Sequence, residues 1–196
     1  MKKVYIIILS VIIFIGTILY VIYSNRHPLC IPQKDITSEI ETGDLVFSVG
    51  ESIKSDIVRW CGNNPDCEYS HVGIIVKSSD GFKIVHMSSD LGYIASQALD
   101  DFIKTADSSQ LGFYRFRKQI NKRHIEDAVD SLLQLNKQFD DDFDIVDDEK
   151  YYCTEFIYKI LRDIKSDIYN DIKYDNHILP DDMANSALVY KITEIK

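Results

Sequence analysis

Three residues of this 196-residue chain combine a reactive side chain with a place that can use it: Cys153, His71 and His86. Cys153 follows Tyr151-Tyr152 and precedes Thr154, just where Phe156, Ile157, Ile160, Leu161 and Ile164 begin a helical pattern. A helix start presents unpaired backbone N–H groups and the positive end of the helix dipole. Both favour a thiolate, and both suit an oxyanion forming beside it. A small buried hydrophobe is the plainer reading of a free cysteine, and from its own context Cys153 fits either. His71 opens an apolar run whose alternation places Gly73 and Ile75 on the histidine's face. Gly73 leaves room beside the imidazole for a partner or a substrate. His86 lies in the next run, Ile84-Val85-His86-Met87. In a hairpin it would stand beside His71 and orient that ring from the nitrogen remote from the thiol. Taken singly, a strand histidine is more often structural than catalytic. His27, His124 and His177 have no comparable surroundings.

These residues need elements to hold them. Thr42-Gly43-Asp44 turns into a short strand at residues 45–47, and Ile53, Ile57, Val58 and Trp60 suggest a helix over 51–60. Residues 71–76 and 82–87 read as strands joined through Ser79-Asp80-Gly81, a hairpin. Leu99, Phe102 and Ile103 suggest a short helix, and residues 112–116 another strand. From 124 to 139, Ile125, Ala128, Val129, Leu132, Leu133 and Leu135 define one helical face. An acidic loop over 140–148 leads to Cys153 and its helix, and a last strand spans 187–192. A strand-rich middle flanked by helices predicts an α+β fold with an antiparallel sheet.

The composition narrows the partners. Hydrophobic residues make up 45% of the chain and charged residues 27%, which fits a packed globular domain rather than a disordered chain. The net charge is −9 with no clustered basic face, so a nucleic-acid partner is not expected. Lys2 and Lys3 precede an uncharged apolar run over residues 4–23. As a helix it would span about 30 Å, the thickness of a hydrocarbon core. Tyr20 and Tyr23 suit the interface, and no small-residue cleavage signal follows. The expectation is an uncleaved single-pass anchor over 1–23, a stalk over 24–40, and a domain over 41–196 outside the cytoplasm. Cys61 and Cys67 bracket a turn-rich loop and could pair by disulfide in an oxidising compartment. Their spacing does not suit zinc. Cys30 lacks the small residues that precede a lipidated cysteine.

Three segments carry a resemblance when taken together: Gly43-Asp44-Leu45-Val46-Phe47, Ser70-His71-Val72-Gly73-Ile74-Ile75 and Tyr152-Cys153-Thr154-Glu155-Phe156. They resemble the circularly permuted, NlpC-type papain-like cysteine hydrolases of the YiiX-like branch. Histidine before cysteine is the mark of the permutation. Phe139-Asp140-x-x-Phe143 is similar to the Tyr-Asp-x-x-Phe run that precedes the nucleophile in that family, and Arg115 stands where it often carries arginine. The resemblance covers residues 41–192. It implies Cys153 as nucleophile, His71 as base, and a third polar residue on the strand after His71. Many relatives place a glutamate there, and the matching position here is His86. A neutral imidazole can orient His71 but does not stabilise an imidazolium as a carboxylate does. Thr154 stands where serine is common, and Glu155 reads as support for the helix. The implied reaction is acyl transfer to water, with no metal or organic cofactor. Peptide-like amides, including those of a cell wall, are the first substrate class. A lipid-directed acyltransferase or thioesterase and an inactive binding module are the alternatives.

Overall fold

The computed structural model describes residues 35–49, 69–106, 111–145, 148–172 and 178–195. Its strands are β1 (Leu45–Ser48), β2 (His71–Ser78), β3 (Gly81–Ser88), β4 (Tyr93–Ala98), β5 (Leu111–Phe116), β6 (Gln138–Phe139), β7 (Lys150–Tyr151) and β8 (Val189–Ile195). Its helices are α1 (Leu99–Thr105), α2 (Lys122–Leu135), α3 (Cys153–Asp163), α4 (Asp167–Asp171) and α5 (Pro180–Ala184). The strands form one sheet in the order β7-β6-β4-β3-β2-β1-β5-β8. The expected hairpin is present, with Ile74 opposite Val85 and Ser78 opposite Gly81.

The sheet is antiparallel except at one end, where β6 and β7 run parallel. The fully antiparallel sheet expected from sequence is corrected there. The two strands are joined by the acidic loop rather than by a tight turn, and a crossover connection allows parallel pairing. The helix expected over 124–139 stops at Leu135. Asn136 takes the left-handed conformation (φ 48°) and turns the chain into β6. The strand β4 had not been anticipated, because only Ile94 and Ala95 of its six residues are buried. Pairing with β3, His86 opposite Ala95 and Met87 opposite Ile94, makes it a strand.

Alternation gives the sheet two apolar faces. Leu45, Phe47, Val72, Ile74, Val85 and Met87 share one core with Ile125, Val129 and Leu132 of α2 and Phe156, Ile157 and Ile160 of α3. Val46, Ile75, Ile84 and Phe113 are buried on the other face, and α1 packs against β3 and β4. Arg115 closes the far end of β1. Its Nε and Nη2 donate to the two Asp44 carboxylate oxygens at 2.7 and 2.8 Å, and Nη2 also donates to the Glu39 carbonyl at 3.0 Å. Asp44 is completely buried, and this forked pairing neutralises its charge. The arginine expected from the family pattern is thus a clamp on β1, well away from the thiol.

The compact unit that carries these elements begins at Gln33. Ile36 and Ile40 are already buried in it, so the last residues assigned to the stalk belong to the fold. The expected anchor over 1–23, the rest of the stalk, the expected helix over 51–60, and Cys30, Cys61, Cys67, His27 and His177 lie outside the described residues. Among the described residues, no helix is long and apolar enough to cross a membrane.

Candidate active site

The approach to Cys153 is built by the acidic loop. The Asp140 carboxylate accepts from the N–H groups of Asp142 at 2.9 Å and Asp144 at 2.7 Å, folding the chain back on itself. Phe143 adopts a positive φ of 56° and places its ring 5.4 Å from that of Tyr152. Tyr152 is extended and serves as the cap of α3, so Cys153 is the first helical residue. The Ile178 N–H donates to the Tyr152 hydroxyl at 3.0 Å, and the Thr154 hydroxyl donates to the Ile178 carbonyl. Both bonds pin the start of α3 to the segment ahead of α5. Glu155 accepts from the Tyr152 N–H at 3.4 Å and pairs with Lys159 at 3.2 Å. Its helix-supporting role therefore comes with complete burial. Burial lifts its carboxyl to about 7, against the opposing pull of Lys159.

The thiol of Cys153 lies where β2 and β3 part. Their ladder ends at Ile74 opposite Val85. Alternation aims the N–H of Val72 toward β3, beyond that last rung. That N–H acts on the Cys153 sulfur instead, together with the N–H groups of Thr154 and Cys153, while the Thr154 hydroxyl keeps its proton on Ile178. Donors of this kind were expected to hold the thiol pKa down. Burial is the larger effect and pushes it up to about 11. Only 4% of Cys153 is exposed, and a thiolate there loses more hydration than the donors return. The helix start favours a thiolate, and burial opposes it.

His71 and His86 meet across the hairpin. His71 Nε2 lies 2.8 Å from His86 Nδ1, with the rings nearly perpendicular and 4.9 Å apart. Gly73 makes this possible. A β-carbon on it would sit 2.7 Å from Ile84 Cγ2 and 3.1 Å from His86 Cβ. The other side of the His86 ring meets Phe102 of α1, 5.4 Å away and edge-on. Burial lowers the pKa of His86 to about 4, against a raising influence from Gln97 and from Asp90. His71 keeps partial contact with solvent, yet burial and then the neighbouring His86 hold it down, to about 3. Both rings are neutral near pH 7. One must donate to the other, and the tautomer decides which.

Two of the three residues singled out from sequence, His71 and His86, are therefore in direct contact. The third, Cys153, is influenced by the N–H of Val72, the residue next to His71, while His71 itself responds to burial and to His86 and not to the thiol. Sequence reading missed the parts played by the Val72 N–H, the Thr154 hydroxyl and Phe102. Thr154 had a signal in its place beside the cysteine. Phe102 had only its place in a short apolar pattern, and the Val72 N–H had none. Among the described residues, no group of three or more His, Cys, Asp or Glu side chains is placed to hold a metal ion.

A cysteine at the head of a helix, laid on a sheet that carries a histidine at the start of a strand, is the layout of papain-like thiol hydrolases. Here the histidine comes first in the chain, as in a circular permutant. Residues 39–193 match the family described as permuted papain-like amidase enzyme, YaeF/YiiX, C92 family. The chain belongs to that family, and so to the cysteine peptidases and amidases. The crystal structure of yiiX from Escherichia coli O157:H7, described as a metalloprotein, superposes with a TM-score of 0.64 at 15% sequence identity. The match covers 79% of this chain and 97% of that one, and it supports the shared fold. No curated protein matches the chain.

Proposed function

We propose that the protein hydrolyses peptide-like amide bonds through Cys153, with His71 as its base and His86 as the group that orients His71. The observation that carries the reading is the junction at the split between β2 and β3. There the Val72 N–H acts on the thiol, and the adjoining His71 bonds His86 at 2.8 Å. The reading assigns the thiol's proton to His71 Nδ1, the nitrogen not bonded to His86. The thiol and the imidazole both rest neutral, so the proton moves as the bond forms. Cys153 Sγ attacks the carbonyl carbon and its proton passes to His71 Nδ1. The N–H groups of Cys153 and Thr154, at the positive end of α3, stabilise the oxyanion. His71 then protonates the leaving amine, leaving an acyl thioester on Cys153. A water molecule gives a proton to His71 as its oxygen attacks, and the acid departs with the thiol restored.

An anchor over residues 1–23 would hold the domain at a membrane, and a domain outside the cytoplasm would meet cell-wall peptides. That places cell-wall amides first among substrates. The metal named for the yiiX structure is a statement about that protein. Incubation with peptidoglycan fragments and, separately, with phospholipid micelles, read by mass spectrometry, tests the reading. New carboxyl termini on the peptides, lost in Cys153→Ala and His71→Ala, are the expected result. Acyl-chain release from lipid without peptide cleavage would overturn it in favour of lipid chemistry.

A further inference from the structure

The imidazole pair has a loose end. His86 is 7% exposed, and its Nε2 is buried without a hydrogen-bond partner. A buried ring nitrogen left unpaired is costly, and in a proton-handling pair it also leaves the tautomer unfixed. If His86 carries its proton on Nδ1, it must donate to His71 Nε2. His71 would then hold its own proton on Nδ1 and could take none from the thiol. If His86 carries the proton on Nε2, its Nδ1 accepts from His71 Nε2–H, and His71 Nδ1 is a free base. The reaction proposed above needs the second state.

One side chain is placed to select it. In the β3–β4 register Gln97 stands opposite Ile84, and His86 stands opposite Ala95. Gln97 and His86 are therefore diagonal neighbours on one face of the sheet. Such positions lie about 7–8 Å apart at Cα, within reach of a long side chain. Gln97 is half-buried and already close enough to His86 to act on its ring. The rival is Asp90, but it is exposed and acts on the ring only through its charge. We infer that Gln97 is a positioning residue: its Oε1 accepts the proton of His86 Nε2 and so fixes both histidines in the tautomers that leave His71 Nδ1 open to Cys153. The inference rests on the Cys-His-His reading, and it extends the relay by a fourth residue on β4.

Long-range proton–nitrogen spectra of the protein labelled with 15N-histidine, at pH 7.5, report the tautomer of each neutral ring. Substitution of His71 and His86 by Phe, one at a time, assigns their signals. The expected result is His86 protonated at Nε2 in the native protein and shifted to Nδ1 in Gln97→Leu. Alkylation of Cys153 by iodoacetamide should then fall severalfold in Gln97→Leu and recover in Gln97→Glu, which restores an acceptor. Native His86 protonated at Nδ1, or a Gln97→Leu variant with unchanged tautomer and alkylation, would overturn the inference. Should Gln97→Leu fail to fold, the native spectrum and Gln97→Glu decide it. Neither readout needs a substrate. Absence of amide turnover would count against the amidase reading alone, and a Gln97→Leu variant with the native tautomer against Gln97 alone, whereas native His86 protonated at Nδ1 would count against His71 as base as well.

Discussion

Replacing His86 by glutamate should convert a neutral relay into one that stabilises charge. The two histidine rings are 4.9 Å apart. A carboxylate at that separation from a protonated His71 contributes about 3 kcal/mol at an effective dielectric constant of about 20. Taken alone, that corresponds to roughly a hundredfold gain in the proton affinity of His71. Position 86 is buried, so part of the gain is lost in desolvating the new carboxylate. A net gain of roughly tenfold is the working figure. The thiolate–imidazolium pair becomes more accessible by the same factor, and Cys153 becomes more reactive near neutrality. The assay is the rate of iodoacetamide addition to the Cys153 peptide, followed by mass spectrometry from pH 6 to 11. The native protein should react slowly near pH 7 and rise toward an inflection at about 11, set by burial of the thiol. His86→Glu should react about tenfold faster at pH 7. A folded His86→Glu protein with the native rate profile would refute this electrostatic account of the site.

Gly73→Ala should drive a methyl group into Ile84 and His86, at the 2.7 and 3.1 Å contacts noted above. The expected cost is about 1–3 kcal/mol, a fall in Tm of roughly 2–10 °C by calorimetry, with Cys153 alkylation changed as His86 is pushed aside. Arg115→Leu strips Asp44 of its forked partner and leaves a buried charge unpaired. It should lower stability in urea by about 3 kcal/mol, without touching the thiol. The histidine pair also ties stability to pH. The folded pKa values, about 3 for His71 and about 4 for His86, lie below the ordinary value of 6.5. Between those limits the unfolded chain binds more protons, so their contribution is complete above pH 6.5 and is lost as the pH falls through 4 and 3. A His71→Gln/His86→Gln protein should therefore lose less Tm than the native protein between pH 7.5 and 4. Glu155, raised to about 7, acts in the opposite direction in both proteins and cancels in that comparison.

Much of this architecture is written in local pattern. Alternation over residues 71–76 and 82–87 marked the hairpin, and that hairpin alone sufficed to set His86 beside His71. The apolar spacing after Cys153 located the helix and put the cysteine at its first turn. What eluded sequence reading depends on tertiary context. The strand β4 has a weak pattern of its own and exists through pairing with β3, so Gln97 could not be placed. The two-residue strands β6 and β7 are too short to carry a period, and with them went the parallel edge. The surroundings of the thiol are another case. A helix start and its N–H groups can be read locally, but the burial that outweighs them comes from β2, β3 and α3 closing around the sulfur.

Isotope labelling with trapping of the intermediate tests the central claim most directly. Hydrolysis of peptidoglycan fragments in 18O-water, quenched in acid during turnover, should show an acyl adduct on the Cys153 peptide and one 18O atom in the new carboxyl group. Both should vanish in Cys153→Ala, and the adduct should fail to form in His71→Ala. Amide cleavage at the native rate in Cys153→Ala, with no adduct found on the native protein, would contradict the account.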